Sequence, residues 1–287
     1  MSIAPRNEYK KLAQLQAEQA RAKRQKTLLA ITSTVVVIVI VSVVVLWIVA
    51  STNSKNNNKK VVAATSNSSY ISSMIGIPQS MYDAVGVGKA NILPTKVSGQ
   101  PALTMNDKPE VLYIGAEYCP YCAMYRWSLT AALSRFGSFT GLQTQVSTTN
   151  DTVQNVPTAT YVNVNYTSKY ISFVHYETQD RNGNPLQKPS NEANTLFTKI
   201  DSQGSIPFVD FGNVAASIGA VYNGDNYMQN VSGTSVATQL ADAESQQSQG
   251  IIGGANIITA QICRLTKGQP GSVCNSGGVM AAATKLP

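Results

Sequence analysis

Four cysteines and one histidine hold most of the reactive chemistry available to this sequence. Two of the cysteines form the tetrapeptide Cys119-Pro120-Tyr121-Cys122. The chain before them, Val111–Ile114, is apolar and bounded by charge and glycine, and reads as a short buried strand. After them, Leu129, Ala132, Leu133 and Phe136 recur at helical spacing. A strand therefore leads into a CxxC pair at the first turn of a helix. Free N–H groups and the helix dipole favour an anion there, which lowers a thiol pKa. Pro120 suits the first turn, where a missing N–H costs little. Cys119 is expected to be the exposed nucleophile and Cys122 the resolving thiol one turn inside. Half of a zinc site and a plain structural disulfide are the alternatives; zinc needs two more close ligands. The remaining candidates are His175 and the pair Cys263 and Cys274.

The segment Glu110–Cys122 with its following helix resembles the start of a thioredoxin-fold domain, and Cys-Pro-Tyr-Cys matches the glutaredoxin active site. The wider pattern GAEYCPYCAMYRWSLTAALSRFG at Gly115–Gly137, an N-terminal apolar span and a late cysteine pair resemble a membrane-anchored thioredoxin-like family of unknown function from archaea and bacteria. The resemblance covers most of residues 90–280. It implies an α/β fold, a thioredoxin-like central mixed sheet flanked by helices, preceded by one transmembrane helix. It also implies a cis bond between Ile206 and Pro207, facing the cysteines, where backbone groups can pair with an extended substrate. Pro120, Tyr121, Ile206 and Pro207 are thus the expected substrate-binding residues. One departure stands out. Thioredoxins carry a buried acid six residues before the first cysteine, and Tyr113 occupies that place. Glu117 sits towards the surface side of the motif and does not readily replace it.

The rest of the chain supplies the expected scaffold. Ser72–Val87 reads as a short helix around Pro78, and Leu93–Leu103 holds a short edge strand. Leu142–Ser147, Ala159–Val164 and Tyr170–Tyr176 read as strands, with Asn165–Lys169 as a link. His175 falls in the last of these, where a lone histidine is more often structural than a proton-transfer group. Arg181–Pro189 is a loop and Asn191–Ile200 a helix. Phe208, Val209 and Phe211 continue a core strand, Gly212–Asn213 turns, and Ala215–Val221 pairs back. Val236–Ala243 is helical. The polar tract Glu244–Gly250 with Gly253 and Gly254 argues against one unbroken helix, and Ala255–Leu265 resumes it. Ser276–Pro287 reads as frayed.

Residues 1–27 form a basic segment, with seven Lys or Arg against two Glu. Residues 28–50 follow, 23 residues without a charge. As a helix they reach about 34 Å, enough to cross the hydrocarbon core. The span is too long for an ordinary signal-peptide core, and no clear cleavage site follows. Basic residues crowd its N-terminal side, which places the N-terminus in the cytoplasm and the large domain outside. Residues 51–69, rich in Asn, Ser, Lys and Thr, read as a tether. The thioredoxin-like domain then covers 70–280, and 281–287 forms a tail. Residues 51–287 hold 15 basic and 13 acidic side chains, so the net charge of +7 lies mostly at the membrane and gives no footprint for nucleic acid. Four cysteines in the exterior part fit an oxidising compartment. Four N-x-S/T sites also lie there, at Asn67, Asn150, Asn165 and Asn230.

Cys263 and Cys274 are separated by a segment whose Gly268, Pro270 and Gly271 let the chain turn back. A structural disulfide is the leading reading; a second redox pair and a zinc shared by all four cysteines are the others. The expected activity is that of a membrane-tethered thiol–disulfide oxidoreductase acting on protein thiols or disulfides outside the cytoplasm, with no cofactor and no bound metal. A non-catalytic binding module on the same scaffold and an electron relay to a membrane redox partner are the rival expectations.

Overall fold

The computed structural model describes residues 69–287. The basic segment, the apolar span 28–50 and the tether up to residue 68 lie outside the described residues. Among the described residues, no helix is long and apolar enough to cross a membrane.

The fold is a mixed α/β arrangement with a central sheet flanked by helices. Two short helices, α1 (Ser69–Ile75) and α2 (Gln79–Val85), come first, and Pro78 is the N-cap between them. Strands β1 (Thr95–Lys96) and β2 (Thr104–Met105) lead to β3 (Lys108–Gly115). Helix α3 (Pro120–Leu133) follows directly. Two ribbons come next, β4 (Gly137–Thr140) with β7 (Asn165–Ser168) and β5 (Gln143–Val146) with β6 (Pro157–Thr160). Strand β8 (Ser172–Glu177), helix α4 (Asn191–Ile200) and the hairpin β9 (Phe208–Phe211) and β10 (Ala215–Ile218) complete the sheet. Its order is β1-β10-β9-β3-β2, with β8 also paired to β3. Strand β3 runs parallel to β8 and antiparallel to β9.

Strand β3 is covered on both faces, so it reads as a continuous apolar run rather than an alternating one. Its side chains still alternate between two cores. Val111 and Tyr113 join the large core that holds α3, while Leu112 and Ile114 join a smaller one with Ala193 and Leu196 of α4. Helix α4 has its charges and cap where a helix needs them. The Ser190 hydroxyl accepts from the Ala193 N–H at 3.1 Å, Glu192 lies in the first turn and Lys199 in the last.

The C-terminal third differs most from the sequence expectation. After α5 (Asp225–Met228) and α6 (Gly233–Gln239), the chain makes one unbroken helix, α7 (Gln246–Leu265). The Ser245 hydroxyl caps it by accepting from the Ser248 N–H at 3.1 Å. Gly253 and Gly254 do not break it because they are its contact points. A Cβ at Gly253 would overlap the Val87 carbonyl, and one at Gly254 would overlap Val221 and crowd Ser128 of α3. Each glycine costs about 1 kcal/mol of helix propensity, which close packing against α3 and α2 offsets. The chain then forms α8 (Gly271–Cys274) and α9 (Gly277–Ala283). The expected frayed end and 281–287 tail are therefore corrected: Val279, Ala282 and Leu286 are buried, and Arg264 donates to the carbonyls of Pro287 and Leu286. The expected link at residues 165–169 is strand β7. Its inward residues are Tyr166 and Ser168, which donate to the carbonyls of Leu133 and Phe136. The strand expected at Ala159–Val164 starts earlier and ends at Thr160, where a turn through Asn163 at positive φ takes over.

Candidate functional site: a buried thiol pair backed by an ion pair

Strand β3 delivers the chain to Cys119, the N-cap of α3, with Pro120 at the first helical position. The cap is a sulfur. Cys119 Sγ accepts from the Cys122 backbone N–H at 3.1 Å, where a serine or aspartate oxygen usually sits. That contact satisfies one of the free helix N–H groups and favours negative charge on the sulfur. Cys119 is held below the ordinary thiol pKa, first by its bond with the Cys122 side chain, then by backbone N–H groups and the charge of Arg126, against the opposing effect of burial. Cys122 lies one turn inside and is pushed well above the ordinary value by burial, by its bond to Cys119 and by that residue's charge. Both are free thiols. Of the two thiols, Cys119 gives up its proton more readily.

Cys119 is not exposed, which corrects the sequence expectation. It is 5% accessible, and Cys122 is fully buried. Ala116, Tyr118 and Ile206 pack around them. Tyr121 is exposed and Pro120 is buried. From across the site comes the bend before β9, where the bond between Ile206 and Pro207 is cis. The Ile206 carbonyl lies 3.9 Å from Cys119 Sγ, which donates to it. Ile206 is half-buried and Pro207 buried. Pro120, Tyr121, Ile206 and Pro207 thus gather around Cys119. Beyond Tyr118 a polar groove of about 290 Å³ opens, lined by Thr148, Asp151, Gln179 and Arg181 among others.

Two residues that the sequence did not single out stand behind Cys122. Arg126 and Glu177 are both fully buried and 2.9 Å apart. Arg126 Nη1 also donates to the Tyr113 hydroxyl at 3.0 Å and the Ala116 carbonyl at 3.3 Å. Burial opposes the guanidinium's charge, yet Glu177, Tyr113 and Cys122 together hold its pKa above the usual arginine value. Burial pushes Glu177 up to about 7, against the pull of Arg126. Tyr113 is thereby part of a buried charged cluster. Glu117 is buried rather than at the surface, and accepts from the Thr160 hydroxyl at 2.5 Å. The signal that could have found the cluster is a single arginine four residues after Cys122 on an otherwise uncharged helix, which puts both on one face.

The other candidates lie apart from this site. Cys263 and Cys274 are joined as a disulfide with Cα atoms 5.7 Å apart, at the end of α7. His175 packs against Tyr161 and Phe173, and burial lowers its pKa. Among the described residues, no three His, Cys, Asp or Glu side chains gather as a metal site. A cavity of about 660 Å³ lies against α4 and has no cysteine in its lining.

A family model for a domain of unknown function, DUF929, matches residues 93–264, more than half of the chain and the stretch that carries the thiol site. The chain belongs to the DUF929 family. No curated protein and no solved structure matches it. The DUF929 match begins just before β1 and ends one residue short of the end of α7. It includes Cys119, Cys122, Arg126, Glu177 and Pro207, and Cys263 but not Cys274.

Proposed function

We propose that this protein is a thiol–disulfide oxidoreductase on a thioredoxin-like fold. It is tethered by the span 28–50, with the DUF929 domain outside the cytoplasm, and acts on protein thiols or disulfides. The observation that carries the reading is Cys119 Sγ at the N-terminus of α3, bonded to the Cys122 N–H and facing the Ile206 carbonyl. The order strand, CxxC, helix, and a later proline bend opposite the cysteines supports the thioredoxin-like fold.

In the reducing direction, the Cys119 thiolate attacks one sulfur of a substrate disulfide. A mixed disulfide forms and the other substrate sulfur leaves as a thiolate, which takes a proton. The Cys122 thiolate then attacks Cys119 Sγ, forming the intramolecular disulfide and releasing the second substrate thiol. In the oxidising direction the same steps run backwards, with a substrate thiolate attacking Cys119. The exchange conserves electrons between the partners and uses no cofactor. Extended substrate can bond with the backbone at Ile206 beside Cys119, in the manner of an added strand.

The test is insulin reduction and refolding of a reduced disulfide protein by the full-length protein. At least one activity is expected, and Cys119→Ser abolishes it. Absence of both activities, or their survival in Cys119→Ser, overturns the proposal and favours a binding module without thiol chemistry.

A further inference from the structure

We infer that Arg126 holds the thiolate of Cys122 during the step that closes the Cys119–Cys122 disulfide, in place of a buried acid. The inference rests on the thiol–disulfide reading above and concerns its second step.

Arg126 lies four residues after Cys122 on α3, so the two side chains share one helix face. Among the described residues, all hydrogen bonds of its side chain leave from Nη1. That single nitrogen serves Tyr113, Ala116 and both oxygens of Glu177. Nε and Nη2 are buried and bonded to nothing among the described residues. An arginine kept only for an ion pair would use its fork, with two parallel bonds to the carboxylate. Here Glu177 takes one corner, and donors on the other two nitrogens stay unused in a fully buried site, where unmet donors are costly. Spare buried donors suit an anion that exists only during turnover. Cys122, one helical turn away, is the nearby group whose ionisation the resolving step requires. The Ala116 carbonyl ties the arginine to the thiol pair: it accepts from Arg126 and from the Cys119 N–H, each at 3.3 Å.

The surroundings make the effect depend on the state of Cys119. Cys122 faces Cys119 and Tyr118 at the start of α3, Tyr113 on β3 and Arg126 on its own helix, with Glu177 of β8 behind Arg126. In the dithiol, burial and the bond and charge of Cys119 keep Cys122 protonated. In the mixed disulfide, Cys119 has neither charge nor a proton to share. Two of the three influences that hold the proton vanish, and the pull of Arg126 remains. The Cys122 proton passes to the substrate thiolate released in the first step where that thiolate is basic enough to take it, and to solvent where it is not, as with an aromatic thiolate. The Cys122 thiolate attacks Cys119 Sγ, the mixed disulfide breaks, and the second substrate sulfur leaves as a thiolate.

The experiment mixes reduced full-length protein with one equivalent of the aromatic disulfide DTNB and follows release of the coloured thiolate by stopped flow across pH. The first release reports attack by Cys119; the second reports resolution by Cys122. The expected pH midpoint of the second phase lies below that of an ordinary cysteine, about 8.5. Arg126→Gln should slow the second phase at neutral pH at least tenfold and move its midpoint up by a unit or more. Arg126→Lys should recover most of the loss, since it keeps a charge without the fork. An unchanged second phase in Arg126→Gln overturns the inference. So does a wild-type midpoint at or above the ordinary value, a result that needs no variant to fold. A missing first phase refutes the oxidoreductase reading itself, and the inference with it.

Discussion

Glu177→Gln and Arg126→Met should damage the protein in different ways, although they remove the two halves of one ion pair. Both side chains are fully buried, and breaking such a pair costs about 3–5 kcal/mol because a charge is left without its partner. Glu177→Gln leaves a guanidinium that cannot shed its proton and removes a carboxyl pushed up to about 7 in the folded protein, so the stability of this variant should lose that group's slope from pH 5 to 8. Arg126→Met leaves a carboxylate that can take a proton. With Arg126 present, Glu177 already sits at about 7, and without it the value rises further. The folded chain then binds more protons than the unfolded one above about pH 4.3, so stability is kept in acid and lost as pH rises towards the folded value. Each unit crossed is worth about 1.4 kcal/mol, giving a difference of up to about 4 kcal/mol between pH 5 and 8. The double variant Arg126→Met/Glu177→Gln removes both charges. It leaves the Tyr113 hydroxyl and Ala116 carbonyl without one donor, about 1 kcal/mol each. It should therefore be more stable at pH 8 than either single variant. Urea unfolding of the full-length proteins can be read through Trp127, which is buried with its indole N–H bonded to Pro157. Two single-variant losses that simply add in the double variant, to within about 0.5 kcal/mol, would refute the coupling.

Gly253→Ala should destabilise by about 1–3 kcal/mol net of its better helix propensity, because the new methyl meets the Val87 carbonyl; a raised unfolding midpoint would contradict the packing described. Asp210 is pushed up to about 7 by burial, with Glu110 adding to it. The folded chain therefore holds a proton that the unfolded chain loses near pH 4, and this share of stability disappears as pH rises from 4 through 7. Asp210→Asn should flatten that slope in denaturation measured across pH, and an unaltered slope would exclude it. Graded reduction with alkylation and mass mapping should label Cys119 and Cys122 before Cys263 and Cys274; simultaneous labelling would favour a second redox pair at the end of α7.

The site was legible in the sequence where chemistry is local. A strand, two cysteines three apart and a helix can be read from neighbouring residues, and so can α4, from its apolar spacing at Ala193, Leu196, Phe197 and Ile200. Pro207 was placed opposite the cysteines only through a family resemblance, because no local pattern says what a bend will face. The Arg126–Glu177 pair joins residues 51 apart, and neither position advertises its partner. Burial of Cys119 depends on Ile206, which arrives from another part of the chain. Strand β7 was missed because its inward residues are Tyr166 and Ser168, which bond to carbonyls at the end of α3 instead of forming an apolar stripe. Gly253 and Gly254 look like helix breakers to propensity and are contact points in three dimensions.

The central claim is that Cys119 and Cys122 exchange electrons with other thiols, and a redox titration of the full-length protein tests it most directly. The protein is equilibrated in graded thiol–disulfide buffers, quenched with acid and alkylated, and the state of the pair is read by mass. The account predicts one reversible two-electron couple between roughly −120 and −270 mV, lost in Cys119→Ser. Failure to form a Cys119–Cys122 disulfide in any buffer, or a bond that persists below about −300 mV as structural disulfides do, would contradict it.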